Sequence, residues 1–291
     1  MLAPFDYHRP ETLADAAALL RAYGDAAAVY AGGTELLPLM KDGLIEASHL
    51  IDIKAIPGLA GIEPDGDDGG LRLGALATHR AIERSSLVRQ QLPALADLEA
   101  NVANVRVRAA GTLGGNLCFA EPHSDPATLL VALDARFTLV AVDGAREIAA
   151  GDFFTGLLET ARRPDELLAG IEIPKPAAGV AYERFKTHER PSASVAAVIR
   201  MNDGAISDCR IVVGSVGAVP MRTRRAEAML AGAAPSDDLL TDAAEAIRAE
   251  VEPTADVFES TEYKRQLAAT LGRRALAAAV ARAGGEVDHG R

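Results

Sequence analysis

Apolar residues along this chain fall into two kinds of block: stretches with three-to-four-residue spacing, which mark helices, and compact apolar runs, which mark strands. Leu13, Ala16, Ala17 and Leu20 share one face of a predicted helix, with Thr12 as its cap, Asp15 in the first turn and Gly24 as its stop. Residues 26–31 predict a strand, 34–41 a short amphipathic helix and 49–53 another strand, a βαβ-like unit that closes near Pro57-Gly58. The acidic, glycine-rich stretch 63–70 reads as a surface hairpin tip before a strand at 71–74. Leu92, Leu95, Leu98 and Val102 predict a helix over 92–104; an apolar helix at 127–133 and strands at 137–142 and 167–173 follow.

The proline-bounded stretch 174–179 reads as a domain boundary. Beyond it, 180–186, 194–201 and 206–214 predict three strands, the last two joined by the hairpin signal Asn202-Asp203-Gly204. Helices over 223–230, continuing to 250, and over 260–283 finish the chain, the last with Tyr263, Leu267, Leu271 and Ala275 as its core-facing stripe. Residues 284–291 read as a frayed end. The expected fold class is α+β, divided into 1–57, 58–174 and 178–285.

Two double-glycine turns interrupt this pattern: Ala31-Gly32-Gly33-Thr34-Glu35 and Gly111-Thr112-Leu113-Gly114-Gly115-Asn116. Paired glycines permit positive φ and let another group approach the main chain. Free N–H groups at a helix start then suit a phosphate or pyrophosphate. The plain alternative is a pair of structural turns, with Thr34 as a helix N-cap and Asn116 serving a left-handed turn. Asp125, ahead of Pro126, reads as the N-cap of a helix with proline in its favoured first position, and Lys186 as a solvated strand end.

Composition narrows the chemistry. Net charge is −11 with no basic stripe, which argues against nucleic acid. Cys118 and Cys209, the 2 cysteines, are too few for a four-cysteine iron–sulfur site and fit a reducing compartment. The histidines (His8, His49, His79, His123, His188 and His289) form no i, i+4 ligand pair, and no catalytic triad or metal motif stands out. No secretory signal and no membrane-length apolar run is seen, so a cytoplasmic protein is expected.

The glycine turns resemble the two flavin-binding signatures of the FAD-carrying subunits of molybdenum hydroxylases, a family that includes the medium subunit of aerobic carbon monoxide dehydrogenase and the flavin domain of xanthine dehydrogenase. The resemblance runs over nearly the whole chain, through Phe5-Asp6-Tyr7-His8-Arg9-Pro10, both turns, Ser124-Asp125-Pro126, Ile171-Glu172-Ile173-Pro174 and Phe185-Lys186. It implies a two-lobed, PCMH-type FAD-binding domain followed by a smaller C-terminal α+β domain built on a three-stranded antiparallel sheet with helices. It also implies noncovalent FAD held by Ala31, Gly32, Gly33, Thr34, Glu35, Leu36, Thr78, Gly111, Thr112, Gly114, Gly115, Asn116, Asp125, Leu168 and Lys186, with Asp125 accepting from a cofactor hydroxyl. No residue of this chain is expected to be catalytic or to bind metal. Molybdopterin and two-iron two-sulfur clusters are implied on partners, a large subunit and an iron–sulfur small subunit, in a dimer of heterotrimers. Electrons would pass through this FAD to oxygen, a quinone or NAD, with Glu121-Pro122 near the ring edge. A self-sufficient flavin oxidoreductase of the same fold is the alternative.

Overall fold

The computed structural model describes residues 2–66, 69–176, 179–187 and 190–288. Parts of the expected hairpin tip, domain boundary and frayed end, with His188 and His289, lie outside the described residues.

Three sheets of three or more strands organise the described residues, beside a two-stranded ribbon of Phe154–Gly156 and Glu159–Thr160. The first is parallel, with strand Asp6–His8 beside His49–Asp52 and then Ala27–Tyr30. Helix Leu13–Tyr23 covers it through Ala16, Ala17 and Leu20; its cap is as expected, the Thr12 hydroxyl accepting from the Asp15 N–H. The strand Asp6–His8, only 3 residues long, carries too little pattern to be predicted.

The second sheet is antiparallel, in the order Ile62–Asp65, Gly70–Gly74, Leu167–Ile173, Arg136–Ala141, Gly144–Ala149. Six short helices lie between His79 and Ala132, all but Val105–Ala110 contributing side chains to the core on this sheet, where Phe137 and Phe153 meet edge to face at 5.0 Å. The helix expected over 92–104 ends at Glu99, because Ala103 takes φ +40° and Asn104 caps a new helix, Val105–Ala110. The second glycine segment is no open turn either: residues Leu113–Phe119 form a helix.

The third sheet pairs Gly179–Phe185, Ala193–Asn202 and Ala205–Gly214, with a fourth strand, Met221–Arg222, beyond the three long ones expected. Helix Asp125–Ala132, buried at every position, lies between this sheet and the second. The other face carries helices Arg224–Leu230, Asp237–Glu250 and Thr261–Arg282. Two buried faces explain why residues 193–199 read as one apolar run rather than an alternation. The expected continuous helix from 223 to 250 breaks at Gly232, with φ +81°, and Pro235. In the last helix Tyr263 faces outward; the buried stripe is Lys264, Ala268, Leu271, Ala275 and Ala279. No helix among the described residues is long and apolar enough to cross a membrane.

Candidate functional site

A cavity of about 810 Å³ opens between the first and second sheets and reaches the loop after strand Gly179–Phe185, within the roughly 300–1,000 Å³ range of cofactor sites. Every expected site residue lines it except Thr78 and Gly111. Those two stand behind the wall. Thr78 caps helix His79–Arg84 and bridges to Thr112, while Gly111 accepts from the His79 N–H at 3.1 Å.

The first glycine loop leaves strand Ala27–Tyr30 and turns at Gly33, whose φ of +70° only glycine takes without strain. A Cβ there would also lie 2.4 Å from the Tyr30 ring. Gly32 has a different reason: its Cβ would fall 2.3 Å from the Ala110 carbonyl oxygen and 2.8 Å from the Gly111 Cα, where the two loops touch. Glu35, not Thr34, occupies the N-cap position of helix Leu36–Lys41, and its side chain caps nothing. None of the N–H groups from Gly32 to Leu36 is hydrogen-bonded to a described residue. Five consecutive donors are therefore left for whatever enters the cavity. Lys54 fixes the loop from behind, paired with Asp52 at 2.8 Å, stacked 3.2 Å from the centre of the Tyr30 ring and donating to the Ala31 carbonyl at 3.4 Å.

The second loop is wired in the opposite sense. Leu113 donates to the Ala77 carbonyl at 2.9 Å and Gly114 to that of Ala75 at 2.8 Å. The Gly115 N–H goes to the Thr112 hydroxyl at 3.1 Å, and Asn116 bonds the Thr112 carbonyl. The expected anion site at this helix start is thus already filled by the protein itself. Neither Gly114 nor Gly115 has positive φ. Gly114 is small because a Cβ would meet Ala75 at 2.6 Å; at Gly115 a Cβ would meet the Thr112 hydroxyl at 2.8 Å and then nothing nearer than Ala31 at 3.9 Å. Asn116 accepts from the Ser124 hydroxyl at 2.6 Å, which locks its side chain in the wall.

Ser124, rather than Asp125, takes the N-cap position of helix Asp125–Ala132. The Asp125 carboxylate accepts instead from the Tyr182 hydroxyl and the Arg184 guanidinium, joining its helix to the third sheet. Burial pushes its pKa up, against the pull of Arg184. Lys186 is exposed at the cavity mouth, and Leu168 is buried in the wall.

Three further features carry no motif in the sequence. The first is a buried pair: His79 Nδ1 lies 2.6 Å from the Glu99 carboxylate, which is wholly enclosed. Burial opposes a charged ring, but Glu99 outweighs it and raises the His79 pKa. The second is an ionic cluster at the mouth, where Arg190 reaches Glu121 at 2.8 Å and Glu35 at 3.7 Å, and His123 meets Glu121 at 2.8 Å. Burial alone would raise Glu121; His123 and Arg190 hold it below the usual carboxylate value. The third is Arg162, a cation on the cavity wall.

The chain belongs to the FAD-carrying subunits of the molybdenum hydroxylases. The family model for the "FAD binding domain in molybdopterin dehydrogenase" matches residues 3–176, and that for the "CO dehydrogenase flavoprotein C-terminal domain" matches residues 181–279. The carbon monoxide dehydrogenase medium chain of Afipia carboxidovorans is 36% identical over 96% of this chain and 98% of its own length. The xanthine dehydrogenase FAD-binding subunit of Escherichia coli O157:H7 is 30% identical over 97% and 98%. A solved structure of carbon monoxide dehydrogenase from Hydrogenophaga pseudoflava superposes with a TM-score of 0.93 at 35% identity, covering 97% of this chain and 99% of that one. The expected fold is the one observed, and the chain is a flavin subunit of the oxidoreductase class.

Proposed function

We propose that this chain transfers electrons through FAD held in the cavity, taking them from iron–sulfur clusters on a partner and passing them to an external acceptor. The observation that carries this reading is the run of free N–H groups from Gly32 to Leu36, pointing to an anion of pyrophosphate type at the lobe interface. Across from it, the shaped wall of Thr112, Gly114, Gly115 and Asn116 leaves room for a dinucleotide backbone. Ala31 and Leu168 supply apolar contact; Asp125 and Lys186 face the far end, while Thr78 and Gly111 hold the second loop in place. FAD, when bound, supplies one- and two-electron chemistry, and the protein binds, orients and tunes it.

A donor on another chain is favoured by composition, since 2 cysteines cannot ligate a four-thiolate cluster. The named relatives are medium or FAD-binding subunits of larger enzymes. We therefore infer an iron–sulfur small subunit and a molybdopterin large subunit as partners, in a dimer of heterotrimers. The three sheets support a division at 1–57, 58–174 and 178–285, and the unpaired thiols suit a cytoplasmic location.

Stopped-flow absorbance tests the role. Substrate should bleach the flavin in a co-expressed complex containing iron and molybdenum, and should leave the flavin of the isolated chain oxidised. Rapid bleaching of the isolated, iron-free chain by an organic substrate would establish the self-sufficient flavin oxidoreductase instead.

A further inference from the structure

Strands Ala27–Tyr30 and His49–Asp52 run parallel with Tyr30 beside Asp52, so the first glycine loop and the segment after Asp52 leave the same edge of the sheet. Asp52 is buried at that edge, 3% exposed. Three donors converge on its carboxylate: the Lys54 N–H at 2.9 Å, the Lys54 ammonium at 2.8 Å and the Tyr7 hydroxyl. Burial alone would raise the Asp52 pKa; the hydrogen bonds from Lys54 and Tyr7 hold it below the usual carboxylate value. Asp52 therefore stays charged at neutral pH and keeps the Lys54 ammonium at the foot of the loop.

From that anchor the ammonium meets the loop at two points. It donates to the Ala31 carbonyl at 3.4 Å, and it lies 3.2 Å from the centre of the Tyr30 ring. The same ring abuts Gly33, where an added Cβ would fall 2.4 Å from its edge. The carbonyl of Ala31 and the N–H of Gly32 belong to one peptide unit. That unit is planar and trans, so its C=O and N–H point in opposite directions. Ala31 and Gly32 line the cavity, whereas Tyr30, Asp52 and Lys54 do not. A carbonyl held towards Lys54 thus turns the Gly32 N–H, first of the five unbonded donors, away from Lys54 and to the cavity side. A cation on the carbonyl also polarises the peptide and makes that N–H a stronger donor.

Resting on the reading of the cavity as an FAD site, we propose that Lys54 is a positioning residue for the cofactor, setting the Ala31–Gly32 peptide so that the Gly32 N–H donates to the diphosphate. Lys54 acts through that peptide and does not touch the anion itself. Its contribution goes to diphosphate esters as a class and not to the flavin ring.

The test measures binding of FAD, ADP and riboflavin to the full chain after reversible cofactor removal, for wild type, Lys54→Gln and Lys54→Arg. The Lys54 side chain is 43% exposed, so both variants should fold. FAD and ADP should each bind about fivefold more weakly to Lys54→Gln, as for loss of a half-exposed charged hydrogen bond. Riboflavin, which carries no phosphate, should bind as it does to wild type. Lys54→Arg keeps a cation for Asp52, the Tyr30 ring and the carbonyl, and should restore FAD and ADP binding to within about twofold. Selective isotope labelling of glycine supplies a readout that a loss of stability alone would not move. In the cofactor-free chain the Gly32 amide resonance should shift in Lys54→Gln, while those of Gly114 and Gly115 stay in place. Unchanged FAD and ADP affinities in Lys54→Gln would overturn the proposal, as would an equal weakening of riboflavin or an unmoved Gly32 resonance. If wild-type protein binds neither FAD nor ADP, the FAD reading itself fails, which is a separate result.

Discussion

The two glycine loops use similar residues and are wired in opposite ways. From Gly32 to Leu36 no N–H is bound to a described residue, and the segment faces the cavity as a row of donors. From Leu113 to Asn116 every N–H is taken, by Ala77, Ala75 and Thr112. The proposed anion site therefore rests on the first loop alone, while the second stands as a wall. Even within each pair the glycines divide the work. Gly32 and Gly114 let backbone meet neighbouring backbone or Ala75, Gly33 takes a positive φ, and Gly115 keeps space open beside the Thr112 hydroxyl. A repeated motif therefore does not imply a repeated role.

The strongest challenge to this division comes from the packing glycines. Gly32→Ala and Gly114→Ala should each destabilise the protein by about 3 kcal/mol, since neither added Cβ can be accommodated without moving backbone. Thermal melting of the cofactor-free chain checks this, and a wild-type melting temperature for either variant would show that the loops do not meet as described. Gly33→Ala comes next, with about 1–2 kcal/mol from its left-handed backbone and loss of FAD affinity as the donors turn away. Gly115→Val should instead spare most of the stability and remove flavin occupancy, read from the absorbance ratio of the purified protein.

Smaller effects sharpen the comparison through the two threonines. Thr112→Ala deletes a cap and should cost about 1 kcal/mol. Thr34→Ala deletes none and should stay within about 0.5 kcal/mol. Equal costs in urea denaturation would contradict the assignment of Glu35 to the N-cap position.

The smallest effect is pH-dependent and concerns the support of the second loop. The His79 pKa is raised above its ordinary value of 6.5 by the adjoining Glu99. The folded state therefore holds the proton more tightly than the unfolded one. Stability from this pair is fully present below about pH 6.5 and is lost as pH rises through the raised value. Melting temperatures across this range should fall for wild type and fall less steeply for His79→Gln.

Much of this was legible in the chain. The glycine pairs, Asp125, Leu168 and Lys186 stand next to predicted strand ends or helix starts, and the structure places all of them on one cavity. The βαβ-like unit and the long C-terminal strands announce themselves through apolar runs and the Asn202-Asp203-Gly204 turn. The wiring was not legible, because it depends on neighbours remote in sequence. Gly114 is small on account of Ala75, and Asp125 is held by Tyr182 and Arg184 rather than by its own helix. Arg190, Glu121 and Glu35 come from three separate parts of the chain. Lys54 sits in an ordinary segment after a strand, and only the fold brings it to Ala31 and Tyr30.

Amide hydrogen exchange with and without FAD tests the central contrast most directly. Without cofactor, amides of residues 32–36 should exchange quickly and those of 113–116 slowly, since only the latter are hydrogen-bonded within the protein. Addition of FAD should protect residues 32–36 strongly and change 113–116 little. Fast exchange at 113–116 in the cofactor-free chain, with equal protection of both loops on binding, would contradict the account.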